Sequence, residues 1–128
     1  MAKYRIDNFY ELMQVTRALS DENRVRILMF LSRGELCLCQ IIEMLGLSPS
    51  TVSKHVAVLR QAGLVEGRKE GRWHYYRLPE PTRSHVIGGA IRWLSDALAS
   101  DPTIERDVET LKSVILKERE ELCAHYKS

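Results

Sequence analysis

Between residues 36 and 63 the apolar positions fall into two sets, Leu38, Ile41, Ile42 and Leu45, then Val52, Val56 and Leu59. Both sets have the three- and four-residue spacing of one helix face, so two short helices are predicted. Gly46 follows the first, where a left-handed residue suits a helix end. Ser48 is a good N-cap for the second, and Pro49 fits the first helical position because it has no N–H to leave unpaired. With Val52, Val56 and Leu59 turned inward, Ser50, Ser53, Lys54, Ala57 and Arg60 lie outward. The second helix is therefore short, polar and positively charged on its free side, as a helix entering a DNA major groove must be. The pattern is a helix-turn-helix over about residues 35–63.

The flanking pattern fills in one domain. Ile6, Phe9, Tyr10, Leu12 and Met13 predict an amphipathic helix ending near residue 18. Ser20 or Asp21 can cap a second helix whose core face is Val25, Ile27, Leu28, Phe30 and Leu31, with Gly34 at its end. After Gly63 the character changes. Leu64, Val65, Trp73, Tyr75, Tyr76 and Leu78 are strand formers, and Lys69-Glu70-Gly71-Arg72 is a turn with glycine at its tip. This ribbon, about residues 64–78, reads either as a solvated hairpin covering the core or as a wing. Its basic tip and its place after the recognition helix favour phosphate contact through Arg68, Lys69 and Arg72. Pro79 and Pro81 interrupt the chain before a helix of about residues 84–99, with Val86, Ile87, Ala90, Ile91, Leu94 and Leu98 apolar. Gly88-Gly89 inside it implies a kink or close backbone approach to another helix, an intersubunit contact being one candidate. Asp101-Pro102 opens a last helix to about His125, striped by Ile104, Val108, Leu111, Ile115 and Leu122. The expected fold class is mainly α with a small β-hairpin, a winged helix-turn-helix. It is expected to be homodimeric through its terminal helices (residues 1–18 and 84–125).

Composition narrows the class without changing the fold. The 128 residues, 45% hydrophobic and 28% charged, suit one soluble globular domain. A net charge of +2 identifies no partner, but its distribution does. Six Lys/Arg against two Glu lie between Ser48 and Leu78, an electrostatic footprint for DNA phosphates. No apolar run is long enough for a membrane span, and the first residues lack a signal peptide's apolar core, so a cytoplasmic location is expected. Three cysteines, Cys37, Cys39 and Cys123, argue against a disulfide framework and leave metal binding or redox chemistry open.

The stretch Glu35-Leu36-Cys37-Leu38-Cys39, followed by LSPSTVSKHVAVLRQAGLVEGRKEGRWHYYRL, resembles the ArsR/SmtB family of winged-helix metal-sensing repressors. The likeness spans about Ala18 to Leu78. It implies a homodimeric repressor that binds double-stranded operator DNA when free and leaves it when a metal or metalloid binds. The two cysteines at the start of the motif's first helix are similar to the arsenite-sensing branch, which implies arsenic(III), or antimony(III), as effector. That branch usually carries a third cysteine three residues after the second, where this chain has Ile42. The third ligand is then Cys123, from the same or the partner subunit, or a small cellular thiol or water. The family's zinc site between paired helices is not matched, since only His85 corresponds and Arg83 stands two residues before it.

On the motif, Ser50, Ser53, Lys54 and His55 are expected to reach base edges or phosphates, with Ser48 and Thr51 near the DNA backbone and the outward Arg60 also a DNA contact; on the wing, Arg68, Lys69 and Arg72 are expected to contact phosphate. Soft thiolates select arsenic(III), antimony(III), cadmium, zinc and copper(I) over hard cations. Placed at or just before a helix N-terminus, Cys37 and Cys39 sit where the helix dipole favours thiolate. Residues i and i+2 point to different sides of a helix, so gathering both sulfurs on one ion distorts the first turn. Two rivals share the fold, a cadmium/zinc sensor and a thiol redox sensor. An arsenic-handling enzyme or thiol carrier is disfavoured, because no nucleophile–base pair or Gly-rich phosphate loop lies beside the cysteines. Neither a membrane nor an organic cofactor is expected as a partner.

Overall fold

The computed structural model describes residues 2–117 and 119–125; the side chains of Ile6 and His125, named above, lie outside what it describes. Among the described residues ten elements follow one another: α1 (Ala2–Ala18), α2 (Glu22–Leu31), β1 (Leu36–Cys37), α3 (Leu38–Leu45), α4 (Pro49–Gln61), β2 (Glu66–Glu70), β3 (Trp73–Arg77), α5 (His85–Ala97), α6 (Pro102–Leu116) and α7 (Arg119–His125).

The core forms where α2, α3 and α4 meet. Ile27, Leu28, Phe30, Ile41, Ile42, Val52, Val56 and Leu59 are all buried there. Asp21 caps the start of α2, accepting from the backbone N–H groups of Asn23 (2.8 Å) and Arg24 (3.1 Å). Ser48 accepts from Thr51 N–H at 3.3 Å at the start of α4, with Pro49 in the first turn. Gly46 ends α3 with φ 67°, a left-handed conformation that glycine adopts without steric penalty. The helix-turn-helix therefore has the caps its sequence predicts.

The ribbon is larger than a hairpin. β2 and β3 pair antiparallel from Glu66↔Arg77 to Glu70↔Trp73, leaving Gly71 (φ +63°) and Arg72 as a two-residue turn. A third strand joins β3 on its other edge, with Leu36 opposite Tyr76 and Cys37 opposite Tyr75. This two-residue strand has no alternating pattern to announce it, because pairing rather than periodicity creates it. It places the cysteine stretch and the wing in one sheet, ordered β1-β3-β2.

In α1, Phe9 and Tyr10 are 73% and 70% exposed, and Val15 and Ala18 make that helix's buried contacts. The last helix is not continuous to His125: α6 ends at Leu116, and α7 begins at Arg119. Part of its apolar stripe is used within the chain, while Ile115 is 50% exposed. Leu111, Val114 and Leu122 are buried in the same core, and α6 and α7 pack on α2 and α3 of their own chain. Arg26 fixes α6 to α2, donating from Nε (2.9 Å) and Nη2 (3.0 Å) to Asp107. This hydrogen-bonded pairing raises the Arg26 pKa, so it stays charged. Lys117 reaches Glu43 of α3 at 2.9 Å.

Gly88 also departs from expectation. A Cβ there would lie 2.3 Å from the carbonyl oxygen of Pro81, so the close approach the structure shows is to the loop of its own chain. Gly89 has nothing within 4 Å of such an atom. Overpacking costs up to about 3 kcal/mol and the Gly-to-Ala gain in helix propensity offsets about 1, so Gly88→Ala is expected to destabilise by about 1–2 kcal/mol. Gly89→Ala is expected to stabilise by up to about 1 kcal/mol. Urea midpoints of the two variants check this, and equal shifts of the same sign would refute it.

Candidate nucleic-acid interface and cysteine site

The outward face of α4 is built as the spacing requires. With Val52, Val56 and Leu59 buried, Ser50, Thr51, Ser53, Lys54, Ala57 and Arg60 are exposed. Ser48 is also exposed, and its hydroxyl donates to Thr51 Oγ1 at 2.8 Å, so these two residues are tied together at the helix start. His55 stands apart. Its Nδ1 lies 3.4 Å from Arg24 Nη1 and 3.9 Å from Asp21 Oδ1, so the ring faces the capped start of α2 and not the outward side. Burial raises the Asp21 pKa, but the Arg24 N–H, the His55 charge and the Asn23 N–H outweigh it and hold this carboxyl below its ordinary value. His55 thus joins the recognition helix to α2.

The wing's cations divide in the same way. Lys69 and Arg72 are exposed at the tip, with Arg72 stacked on the Trp73 ring at 4.9 Å. Arg68 is engaged by carboxylates, donating to Glu35 from Nε at 3.0 Å and Nη2 at 2.8 Å, and also pairing with Glu70. Arg60 leans from α4 onto the Tyr76 ring, 5.8 Å from its centroid, joining recognition helix to wing. Sequence reasoning missed the carboxylate partners because Glu35 and Arg68 are far apart along the chain and meet only through the sheet.

Cys37 is 1% exposed and is the N-cap of α3. Its backbone N–H donates to Gln40 Oε1 at 2.9 Å, the reciprocal contact of a capping box. The three-residue spacing of Cys37 and Gln40 is the signal that could have found it. Cys39, in the first turn of α3, is bonded to Cys123 of α7, their Cα atoms 5.2 Å apart. The odd cysteine count argued against such a bond, but the break between α6 and α7 makes the meeting geometrically accessible within one chain. Cys37 remains a free thiol. Among the described residues no three His, Cys, Asp or Glu side chains converge on a metal-sized site.

The model of a family described as "Bacterial regulatory protein, arsR family" matches residues 21–67, from the cap of α2 into β2. The arsenic resistance transcriptional regulator ArsR1 of Pseudomonas putida is 40% identical over 93 residues, 66% of this chain and 73% of the relative. The chain belongs to the ArsR family. A second relative, the arsenical resistance operon repressor of Escherichia coli, is 43% identical over 86 residues, 66% of this chain and 70% of its own. Among solved structures, the homodimeric winged helix-turn-helix DNA-binding domain Mb0332 of Mycobacterium bovis has a TM-score of 0.61 at 25% identity, covering 80% of this chain and 89% of that one. This ArsR-family member is thus a winged helix-turn-helix transcriptional regulator with a DNA-binding repressor's architecture. No helix among the described residues is long and apolar enough to cross a membrane.

Proposed function

We propose that the chain is a homodimeric repressor that holds an operator when free and releases it when arsenic(III), or antimony(III), binds its cysteine thiolates. The observation that carries the reading is the meeting of Cys39 with Cys123 at the first turn of α3, one turn-connection ahead of the recognition helix. Once small cellular thiols have reduced the bond, being oxidised to a disulfide in turn, the pair presents two soft sulfurs to one ion, the donor type that thiophilic ions select. Each arsenic–oxygen bond of arsenous acid exchanges for an arsenic–sulfur bond, the thiol proton leaving with the oxygen as water, and no electrons change hands. Cys37 becomes the third ligand by turning out of its cap, which unwinds the start of α3. Operator and ion then stabilise different forms of one turn and oppose each other.

The dimer is proposed through α1 and α5, which pack together and leave Phe9, Tyr10 and Trp93 exposed. That apolar surface suits a second copy better than solvent. Ser50, Ser53 and Lys54 read bases or phosphates in the major groove; Ser48 and Thr51 lie near the backbone. Lys69 and Arg72 bind phosphate from the wing. Replacing these last two with Ala is expected to make the slope of log K against log salt shallower by about 0.9 for each phosphate no longer neutralised. An unchanged slope would mean the wing tip faces away from DNA.

A second reading is favoured by the disulfide itself: oxidation of Cys39 and Cys123, not ion binding, is the signal. Sodium arsenite added to the operator complex under full reduction separates the two. Release supports metalloid sensing. Retention, with release on oxidation, supports redox sensing.

A further inference from the structure

The wing and the cysteine turn are joined by more than chain connectivity. Glu35 immediately precedes β1, and its carboxylate receives two hydrogen bonds from Arg68 of β2, at 3.0 and 2.8 Å. The two residues after Glu35 pair with Tyr76 and Tyr75 of β3. The Arg68 guanidinium also lies over the Tyr75 ring, 4.5 Å from its centroid. One short segment, residues 35–37, is therefore attached to both strands of the wing, and its last residue is the cap of α3.

We propose that the Glu35–Arg68 ion pair is a positioning link that makes the wing follow the cysteine turn. A two-residue strand has too little pairing to impose an orientation on its neighbours. A two-point Arg–carboxylate contact has fixed planar geometry, so a rotation of the segment at residue 35 is transmitted to β2. The pair is partly solvent-exposed, 45% for the Arg68 side chain and 29% for Glu35, which makes it a modest contributor to stability and suits it to a coupling role. The Arg68 hydrogen bond holds the Glu35 carboxyl below its ordinary range, so the link is ionised at neutral pH. Arg68 then serves the sheet and not DNA phosphate, and the link's meaning for regulation rests on the sensing reading above.

The test uses the full chain in its Cys39–Cys123 disulfide and dithiol forms, with amide hydrogen exchange read over residues 38–45 and 66–77. In the wild type, both segments are expected to exchange differently in the two forms. In Glu35→Gln, the difference over 38–45 is expected to persist while that over 66–77 falls by about fivefold or more. Glu35→Asp, which keeps the carboxylate and leaves Arg68 with Glu70 and Tyr75, is expected to retain most of it, so that loss in Glu35→Gln reports the ion pair and not the side chain's bulk. The proposal is overturned if the wing still follows the turn in Glu35→Gln, or if the wild-type wing never responds. A parallel operator titration with sodium arsenite distinguishes the two readings. If the exchange results hold while arsenite leaves the wild-type complex intact, the link stands and metalloid sensing falls.

Discussion

Reducing the Cys39–Cys123 bond is expected to lower the free energy of unfolding by about 4 kcal/mol. The bond closes a loop with a sequence separation of 84. In the chain-entropy account, a cross-link over that length removes about 4.5 kcal/mol of conformational freedom from the unfolded chain, and residual structure in that chain lowers the figure. The fold does not depend on the bond, because Arg26–Asp107 and the buried Leu111 and Val114 hold α6 to α2 without it. The reduced protein should therefore remain folded, with a lower urea midpoint and an unchanged helical signal. Cys123→Ser should show the lower midpoint with or without reductant. Equal midpoints for the oxidised and reduced wild type would show that the pair does not close in solution.

Replacing Cys39 is expected to uncouple the effector from the operator. Coupling free energies of about 1–3 kcal/mol correspond to a 5–150-fold change in affinity. On the proposed mechanism, arsenite weakens wild-type operator binding by that factor and leaves Cys39→Ser unaffected. Affinity in the absence of arsenite should be near wild type, since Cys39 lies on α3 and contributes nothing to the exposed face of α4. Cys37→Ser should behave alike, because serine retains an N-cap oxygen while losing the sulfur. Cys123→Ser should lose most of the response, because it removes one sulfur of the proposed Cys39–Cys123 pair, and little if a solute thiol takes its place. Arsenite release of the Cys37/Cys39 double variant would place the sensing site elsewhere.

The parts of this fold that local periodicity specifies were legible in the sequence. Gly46, Ser48, Pro49 and the Val52–Val56–Leu59 stripe each act within a few residues, and each stands where its spacing predicts. What escaped depends on distant partners. Phe9 and Tyr10 have helical spacing whether they face a core or a second subunit, so the pattern alone cannot assign the side they cover. The stop at Lys117 has no Pro or Gly to mark it, yet it determines whether Cys123 reaches Cys39. His55 has the charge of a DNA contact, but its position is decided by Asp21 and Arg24, which approach it only once α2 and α4 pack. Likewise the basic residues of the wing look equivalent in sequence, and only the sheet pairs Arg68 with Glu35.

Cys37 ends one element and begins another, being paired to Tyr75 as a strand residue and capping α3 as a helix residue. The two roles set different demands on the same atom positions, an extended backbone with a small buried side chain and an acceptor at the cap. Cys39 answers to neither demand. The two cysteines, alike in a sensing lineage, are therefore unequal in what else can replace them. A lineage released from thiol chemistry would still be held at position 37 to small capping residues such as Ser and Thr, while position 39 would drift among ordinary helix formers. Relaxed selection would leave its first mark at the second sulfur.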